Sequence, residues 1–464
     1  MEEARPARGA RAAGGQRVRI ATGPHLSSMP GTGSSGLAGR SSQATTTPAH
    51  PLCAAIAGIF SGMADMQSDL VADVPRFSLE ERTRRWARVR AMMREERLDA
   101  IFVPPNTGFW DQFQANVRYL TGIGGNCAQI AAVFPLEGDV TAVTNPDMDV
   151  RYWQARQDWV HDIRPVSAGW GYVGGAIERM KELSLSEARI GVTGLTDNTR
   201  FPEGITSLGI FRRLQEAFPK AEIVNANLLL ERSRFVKSDE ELAFMSAATA
   251  LVEGAVETLR REARPGVAEN IVYARMLASM IEAGGETPTM ILWSAGWPQP
   301  PSNQYLPSRR KLQTGDMICI EAEGRWGGYC AQNTQPIFVG KAPAEYHRMF
   351  ARQQEAVAAC YAKLRPGSTV GDIVEAASAF TNDELQCRLL MHARGLGDDS
   401  PIAIYAARNE LMRDWPIEEN ATFIVKPMIS TPDHQKRIYW GDTVKVTKDG
   451  AQRLGNRPAE IIEL

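Results

Sequence analysis

Residues 234–286 read "RFVKSDEELAFMSAATALVEGAVETLRREARPGVAENIVYARMLASMIEAGGE", a pattern that predicts two long amphipathic helices with a break between them. Ser238 and Glu241 have the spacing of a capping box at the start of the first helix. Arg-Pro-Gly at 264–266 ends that helix, because proline and glycine interrupt a helical backbone. The same three residues recur at 365–367, again between two helical segments. The recurrence predicts an internally duplicated domain in which each half supplies a helix pair and a β-hairpin.

The sequence before this stretch has a different pattern. Ser78 and Glu81 form a capping-box spacing before a helix that leads into the apolar strand "AIFVP", and further strands are legible in "AQIAAVFP", "ARIGVTG" and "AEIVNAN". The first part of the chain is rich in Ala, Gly, Ser, Thr, Pro and Arg and has few large apolar side chains, which is typical of disorder. We therefore expect a disordered extension over 1–67, an α/β domain over 68–235 and a second domain over 236–464.

Composition narrows the class of protein. The 464 residues are 44% apolar, and 52 Lys and Arg nearly balance 54 Asp and Glu, so no basic surface is expected for nucleic acid or anionic membrane. No apolar run approaches the roughly 20 residues that a membrane span requires. The six cysteines form no CxxC pair, which favours free thiols and a cytoplasmic setting. A small-molecule partner is expected.

Several short motifs resemble one family when they are taken in order. They are "VRYLTGIGG", "VKSDEELAFMSAA", "RPGVAE", "KLQTGDMICIEAEG", "GGYCAQNT", "RGLG" and "DTVKVTKDG". In this order they are similar to the pita-bread family of creatinase, Xaa-Pro aminopeptidases (aminopeptidase P) and prolidases. The resemblance implies an α/β (α+β) fold, with a creatinase-like N-terminal α/β domain and a C-terminal pita-bread domain that has an internal pseudo-two-fold repeat. It also implies a homodimer.

The resemblance gives this chain an unusual set of residues at the metal positions. The metallopeptidases of the family hold two metal ions with two Asp, one His and two Glu. The matching positions here are Glu321, Gln332, Arg394, Lys426 and Gly441. Arg394 cannot deprotonate near neutral pH, and the Lys426 ammonium repels a cation. We therefore expect no bound metal and no cofactor. Two cationic side chains facing Glu321 would instead form a slot for an anionic group.

The resemblance also guides the choice of catalytic residues. Creatinase works without metal through a His, but that position falls on Gln304. His392, close to Arg394 in "LMHARGLGDD", is the first candidate for the acid and base because imidazole titrates in the useful range. Glu321, Tyr329 and Cys330 are the other catalytic candidates.

A larger set is predicted to bind substrate. It comprises polar residues of the metal positions and their neighbours, aromatic residues of the Pro-rich stretch "ILWSAGWPQPP" and its continuation, and one arginine that the resemblance places near a partner subunit's site. These residues are Arg394, Lys426, Gln332, Gln304, Glu323, Asp398, Trp293, Trp297, Tyr305 and Arg118.

Several functions remain open at this level. The first is a metal-independent, creatinase-like hydrolase that cleaves a C–N or related bond in a small carboxylate or zwitterion. The second is a lyase that eliminates a group from a small carboxylate, and the third is a non-catalytic binding protein in which the charged residues only neutralise one another. A residual one-ion site through Glu321, Glu323, Asp398, Asp442 and His392 is a fourth. The replaced ligands argue against peptidase activity of the metal-dependent type.

Overall fold

The computed structural model describes residues 75–105, 115–125, 129–144, 147–166, 171–196, 200–299, 307–404 and 406–464. The extension predicted over 1–67 lies outside the described residues, as do Gln304 and Tyr305.

The N-terminal half is built on one mixed sheet of six strands. The strands are β1 (Ala100–Val103), β2 (Ala131–Pro135), β3 (Thr141–Thr144), β4 (Asp162–Pro165), β5 (Arg189–Val192) and β6 (Glu222–Asn225). Their order is β4-β3-β2-β1-β5-β6, with β1 antiparallel to β2 and parallel to β5. The helices are α1 (Leu79–Glu95), α2 (Ala115–Thr121), α3 (Asp147–Arg156), α4 (Gly171–Glu182), α5 (Leu208–Ala217) and α6 (Asn227–Ser233). The α/β organisation expected from the sequence is confirmed.

The start of α1 differs in one detail from its predicted capping box. The Ser78 side chain accepts a hydrogen bond from the Glu81 backbone N–H, as expected. The Glu81 carboxylate instead pairs with Arg84 and Arg85 at 2.7 and 2.6 Å. Glu240 of the C-terminal half accepts the Ser78 N–H at 2.9 Å. A side chain from the second half of the chain therefore completes this helix cap.

Two helix pairs of the C-terminal half follow the predicted duplication. The first pair is α7 (Asp239–Glu262) and α8 (Glu269–Glu282), and the second is α9 (Ala344–Lys363) and α10 (Val370–Ser378). Ser238 and Glu241 form the complete capping box at the start of α7. Gly266 and Gly367 have φ of +88° and +91°, left-handed values that glycine adopts readily at a helix end. The recurrent Arg-Pro-Gly therefore marks the same kind of turn in both halves.

The strands of this half form three sheets. They are β7 (Ile291–Gly296), β8 (Met317–Trp326), β9 (Tyr329–Phe338), β10 (Gln386–Arg388), β11 (Met391–Ala393), β12 (Ile402–Ala403), β13 (Thr422–Val425), β14 (Met428–Ser430), β15 (Arg437–Tyr439), β16 (Asp442–Thr447), β17 (Gly450–Arg453) and β18 (Ile462–Glu463), with a short helix α11 (Ala406–Leu411). The sheet orders are β18-β9-β8-β7, β12-β11-β13-β16-β17 and β10-β14-β15. An isolated β-bridge connects the first sheet to the second. It joins Thr334 of β9 to Gly441, which directly precedes β16.

Helix α7 is long and apolar enough to cross a membrane by length and composition, and 56% of the relevant window is buried. Its Ala248, Leu251 and Val252 belong to a hydrophobic cluster that includes Ile320 of β8 and Ala331 of β9. This helix therefore covers one face of the hairpin as part of the core. The opposite face of the hairpin is left to carry polar side chains.

Candidate functional site

A cavity of about 240 Å³ lies over the polar face of the β8–β9 hairpin. It combines charged side chains with aliphatic ones. The described residues that line it are Arg200, Met290, Leu292, Glu321, Glu323, Gln332, Arg388, Leu390, His392, Arg394, Asp398, Ile404 and Lys426. Seven of the predicted site residues are in this set, namely Glu321, Glu323, Gln332, His392, Arg394, Asp398 and Lys426.

Strand register explains why the hairpin supplies three of these residues. Glu321 and Glu323 are two residues apart on β8, so their side chains point to the same face of the sheet. Gln332 of β9 lies directly opposite Glu323. The Gln332 amide donates a hydrogen bond to Glu321 Oε2 at 3.0 Å. The hairpin therefore presents two carboxylates on one face, and the amide of Gln332 is bonded to the first of them.

Lys426 follows β13 and is the counter-charge of Glu321. Its Nζ lies 2.6 Å from Glu321 Oε2, and both side chains are largely buried. The neighbouring Gly441 has no room for a side chain, because a β-carbon there would overlap the Lys426 β-carbon and lie 2.7 Å from the Val425 carbonyl oxygen. The close approach of this backbone therefore leaves room only for glycine at 441.

Arg394 and Arg325 hold the second carboxylate of the hairpin. Arg394 donates a hydrogen bond to Glu323 Oε2, and Arg325 lies 3.1 Å from Glu323 Oε1. Burial alone would raise the pKa of Glu323, but the two guanidinium groups outweigh it, and this pKa lies below its ordinary value. Burial likewise opposes the charge on Arg394, yet Glu323 raises the pKa of that guanidinium. The group is a buried, fully charged ion triad.

His392 of β11 is positioned by Asp398 and faces the hairpin. Its Nδ1 lies 2.7 Å from Asp398 Oδ1, and its Nε2 lies 3.2 Å from Gln332 Oε1. Burial is the main cause that lowers the pKa of His392, and the charges of Arg200 and Lys426 add to it, against the opposing effect of Asp398. The lowered pKa favours the neutral ring, which has one N–H for these two neighbouring oxygens. Both acceptors stabilise the imidazolium that forms when the ring takes up a proton.

Arg200 reaches this site from the N-terminal half. Its Nε donates a hydrogen bond to Asp398 Oδ2 at 2.6 Å. The neighbouring Asp399 is paired with Arg234 at 2.6 Å, and the Ser400 N–H donates to Glu231 at 3.0 Å. Arg234 and Glu231 also belong to the N-terminal half. The loop that carries Asp398 is therefore fixed to the N-terminal half by three consecutive residues.

Sequence reasoning missed Arg200, Arg388 and the aliphatic lining. Arg200 follows β5 in the sequence "TDNTRFPEG", where no motif distinguishes it from the other arginines of the chain. Arg388 is a solvent-exposed end residue of β10. Strand pairing could have predicted Leu292 as a lining residue, because it lies opposite Glu321 on the neighbouring strand.

Two predicted catalytic residues lie outside the cavity lining. Tyr329 is fully buried on the other side of the hairpin, where its hydroxyl donates to Glu241 at 2.6 Å. Cys330 is also fully buried, and burial raises the pKa of its thiol far above the ordinary value. A thiol that stays protonated is a poor nucleophile. Tyr329 and Cys330 are therefore structural groups of the hairpin in this fold.

Three predicted substrate-binding residues are also placed elsewhere. Trp293 is fully buried in the core, with its Nε1 donating to Glu269 at 3.3 Å. Trp297 is 48% exposed, and its ring centroid lies 6.0 Å from that of Tyr346. Arg118 makes a bidentate pair with Glu286, at 2.9 Å for each bond. None of the three belongs to the described lining of the cavity. Gln304 and Tyr305 lie outside the described residues, so their predicted roles stay predictions.

The side chains at the metal positions do not fit a pair of divalent ions. Lys426 and Arg394 already engage the carboxylate oxygens of Glu321 and Glu323 that a metal would need. The oxygen of Gln332 faces His392, and Gly441 offers no side-chain donor. Within the residues that the structure describes, no group of three or more His, Cys, Asp and Glu is arranged to hold a metal ion. The donor chemistry is that of a cationic site.

Comparisons with known proteins agree with the resemblance. Residues 85–236 match the Creatinase/Prolidase N-terminal domain, and residues 243–448 match metallopeptidase family M24. An uncharacterized peptidase of Bacillus subtilis is 21% identical over 372 residues, which span 79% of this chain and 96% of that protein. The dimethylsulfoniopropionate lyase DddP of Roseovarius nubinhibens is 26% identical over 252 residues, which span 51% of this chain and 55% of that protein.

The solved structures support the same assignment of the fold. The Xaa-Pro dipeptidase from Bacillus anthracis superimposes with a TM-score of 0.67 at 19% sequence identity, covering 82% of this chain and all of that chain. This likeness confirms the predicted creatinase-like N-terminal domain and C-terminal pita-bread domain. The chain therefore belongs to the proteins that join a Creatinase/Prolidase N-terminal domain to a domain of metallopeptidase family M24.

Proposed function

We propose that this chain is a metal-independent, creatinase-like enzyme that cleaves a C–N or related bond in a small carboxylate or zwitterionic substrate. One observation carries the proposal. His392 is held 2.7 Å from Asp398 in a cavity where Lys426 and Arg394 occupy the oxygens that the metals of the family would use. A positioned imidazole beside fixed positive charges supplies a base and an anion site together.

The chemistry assigned to the residues is hydrolytic. His392 accepts a proton from water as the water oxygen bonds to the carbon of the C–N bond, and it then delivers a proton to the departing nitrogen. The C–N electron pair leaves with that nitrogen, so water is the only co-reactant. Asp398 keeps the ring oriented and stabilises its charged form. The lining cations hold the substrate carboxylate and the negative charge that develops on the reacting group.

A substrate screen with a chelator arm tests this proposal. The screen covers small amides, carbamoyl derivatives and β-substituted carboxylates, each with and without EDTA. We expect turnover that the chelator leaves unchanged. A requirement for added metal, or more than about half an equivalent of tightly bound transition metal in the purified protein, would contradict the proposal.

Elimination is the alternative reaction, and the similarity to a lyase supports it. Product analysis in isotopically labelled water distinguishes elimination from hydrolysis. Hydrolysis places solvent oxygen in a product, whereas elimination gives an alkene without it. An absence of turnover across the screen would favour a non-catalytic binding protein.

The cellular setting is part of the same proposal. Cys319, Cys330, Cys360 and Cys387 are free thiols, which supports a cytoplasmic protein. The homodimer is an expectation from the resemblance.

Arg200 provides a test of how His392 is positioned. We expect Arg200→Met to lower kcat by about tenfold, because Asp398 loses the partner that fixes it against the imidazole. The acid limb of the pH profile of kcat/KM should move to higher pH. The reason is that the Arg200 charge adds to burial in lowering the pKa of His392, and the neutral ring is the active form.

Arg200→Lys is the matched control, since it keeps the positive charge. Its acid limb should stay close to that of the wild type. If kcat/KM of Arg200→Met were lower while its acid limb stayed at the wild-type pH, Arg200 would have a purely structural role.

A further inference from the structure

The turn of the β8–β9 hairpin is held by side chains on both sides of Gly328. The Glu286 carboxylate accepts a hydrogen bond from the Gly328 N–H at 2.7 Å, and Arg325 donates to the Gly328 carbonyl oxygen at 3.0 Å. A β-carbon at Gly328 would lie 2.7 Å from Arg118 Nη1, so the turn is in close contact with this arginine of the N-terminal half. The turn is therefore a junction between the two halves of the chain.

Arg118 is the main counter-charge of Glu286. It donates two hydrogen bonds to the carboxylate, each of 2.9 Å, and the two side chains are 13% and 23% exposed. Burial by itself would raise the pKa of Glu286, but Arg118 and, to a smaller extent, Arg325 hold this pKa below its ordinary value. Glu286 is therefore a largely buried carboxylate that stays charged and attracts two guanidinium groups.

Arg325 links this carboxylate to the cavity. Its guanidinium group is buried and lies 3.1 Å from Glu323. Glu323 in turn accepts a hydrogen bond from Arg394, one of the cations assigned to the substrate. Glu286 and Glu323 both attract Arg325, so the position of Arg325 depends on how well other cations neutralise each carboxylate.

We propose that Arg118 is a positioning residue of the cavity. By neutralising Glu286 it keeps Arg325 on Glu323, and Glu323 holds Arg394 in the orientation that receives the substrate. The inference rests on the proposed function, in which Arg394 is among the cations that bind the substrate. It adds a residue outside the described lining that sets substrate affinity, and that residue needs no contact with the substrate itself.

Crystal structures of the full chain and of its Arg118→Met variant test the positioning without turnover. In the variant we expect the Arg325 guanidinium to move into hydrogen-bond distance of Glu286 and to leave Glu323 with Arg394 as its cation. Arg118→Gln is a second variant that keeps one hydrogen-bond donor beside Glu286 but removes the charge, and it should give the same displacement. Unchanged contacts of Arg325 in these variants would overturn the inference.

Kinetics with the substrate found in the screen measure the consequence for binding. We expect Arg118→Met to raise KM by about tenfold, with a smaller change in kcat, because a displaced binding group weakens the affinity for substrate. The acid limb of the pH profile should stay at the wild-type pH, since the contacts of His392 with Asp398 and Gln332 are not altered by the substitution. An unchanged KM would contradict the inference.

Glu286→Gln in the Arg118→Met background separates positioning from a merely structural role. The neutral amide no longer draws Arg325 away from Glu323, so KM should return to within about threefold of the wild type. If Arg118 only stabilised the turn, the second substitution would remove another charged partner and make the defect worse. A KM that stayed high or rose further in the double variant would therefore rule out the positioning role.

Arg164→Met is the matched control. Arg164 also makes a bidentate pair, with Glu182 at 2.7 and 2.8 Å, and neither residue belongs to the described lining of the cavity. Its KM should equal that of the wild type. An equal rise of KM in Arg164→Met would reveal a general effect of losing an arginine pair and would overturn the inference.

The two hypotheses fail in different ways. Displacement of Arg325 in the Arg118→Met crystals, with no turnover of any compound in the substrate screen, would count against the proposed function and leave the positioning role standing. Turnover by the wild type, with the contacts of Arg325 and the KM unchanged in Arg118→Met, would do the reverse.

Discussion

His392→Asn is expected to lower kcat on the carboxylate substrate found in the screen by about 10²–10⁴-fold, the usual contribution of a positioned general acid and base. Asparagine keeps a polar group near Asp398 and Gln332 but cannot take up a proton. The imidazole lies between two oxygen acceptors, at 2.7 Å from Asp398 and 3.2 Å from Gln332, so its protonated form is stabilised as the reaction proceeds. Single-turnover kinetics measure the loss directly.

His347→Asn is the matched control. His347 lies on α9 with 53% of its side chain exposed, contacts Glu463 at 3.2 Å and is not part of the described cavity lining. The His347→Asn variant should turn over the substrate as the wild type does. The far-UV circular dichroism spectrum of His392→Asn should match that of the wild type, which shows that the fold is intact. A loss smaller than about tenfold in His392→Asn would transfer the acid and base role to another residue.

The fold was predictable because its determinants are local and recur. Helix caps and breaks, such as Ser238 with Glu241 and the two Arg-Pro-Gly turns, depend on residues within a few positions of one another. The hairpin carboxylates were predictable for a related reason. Glu321 and Glu323 share a face through strand periodicity, and their register with β9 places Gln332 beside them.

The rest of the site depends on contacts between distant parts of the chain. Arg200 reaches Asp398 across 198 positions of sequence, and no local pattern encodes that approach. The predicted place of Trp293 in the site differs from the observed one for another reason. Trp293 is close in sequence to the cavity but points to the opposite face of β7 from Leu292, so nearness along a strand did not imply a place in the lining.

The same geometry provides an energetic argument against a site that has lost its function. Buried ion pairs are often no more stabilising than apolar residues of similar size, so stability alone gives no reason to keep Lys426 and Arg394 beside two carboxylates. Their arrangement around a cavity of about 240 Å³, with aliphatic side chains completing the lining, instead fits a binding function. This interpretation makes Lys426 the counter-charge of Glu321, which stability measurements test independently of turnover.

Lys426→Met is expected to lower the free energy of unfolding by about 3 kcal/mol, because Glu321 is left as a buried carboxylate without its counter-charge. The double variant Lys426→Met with Glu321→Gln should recover most of that loss, since Gln332 can still donate a hydrogen bond to the new amide oxygen. Urea denaturation followed by tryptophan fluorescence gives the free energies, and the double-mutant cycle isolates the coupling of the pair.

An exposed pair of the same chemistry provides the control. Lys220 and Glu187 are also 2.6 Å apart, but their side chains are 73% and 69% exposed. Lys220→Met should therefore change the free energy of unfolding by no more than about 0.5 kcal/mol, because solvent screens the interaction. If Lys426→Met were as mild as Lys220→Met, the Lys426 ammonium would not be the buried counter-charge of Glu321. The cationic site would then lose its central element, because the hairpin carboxylate would again be available to a different cation.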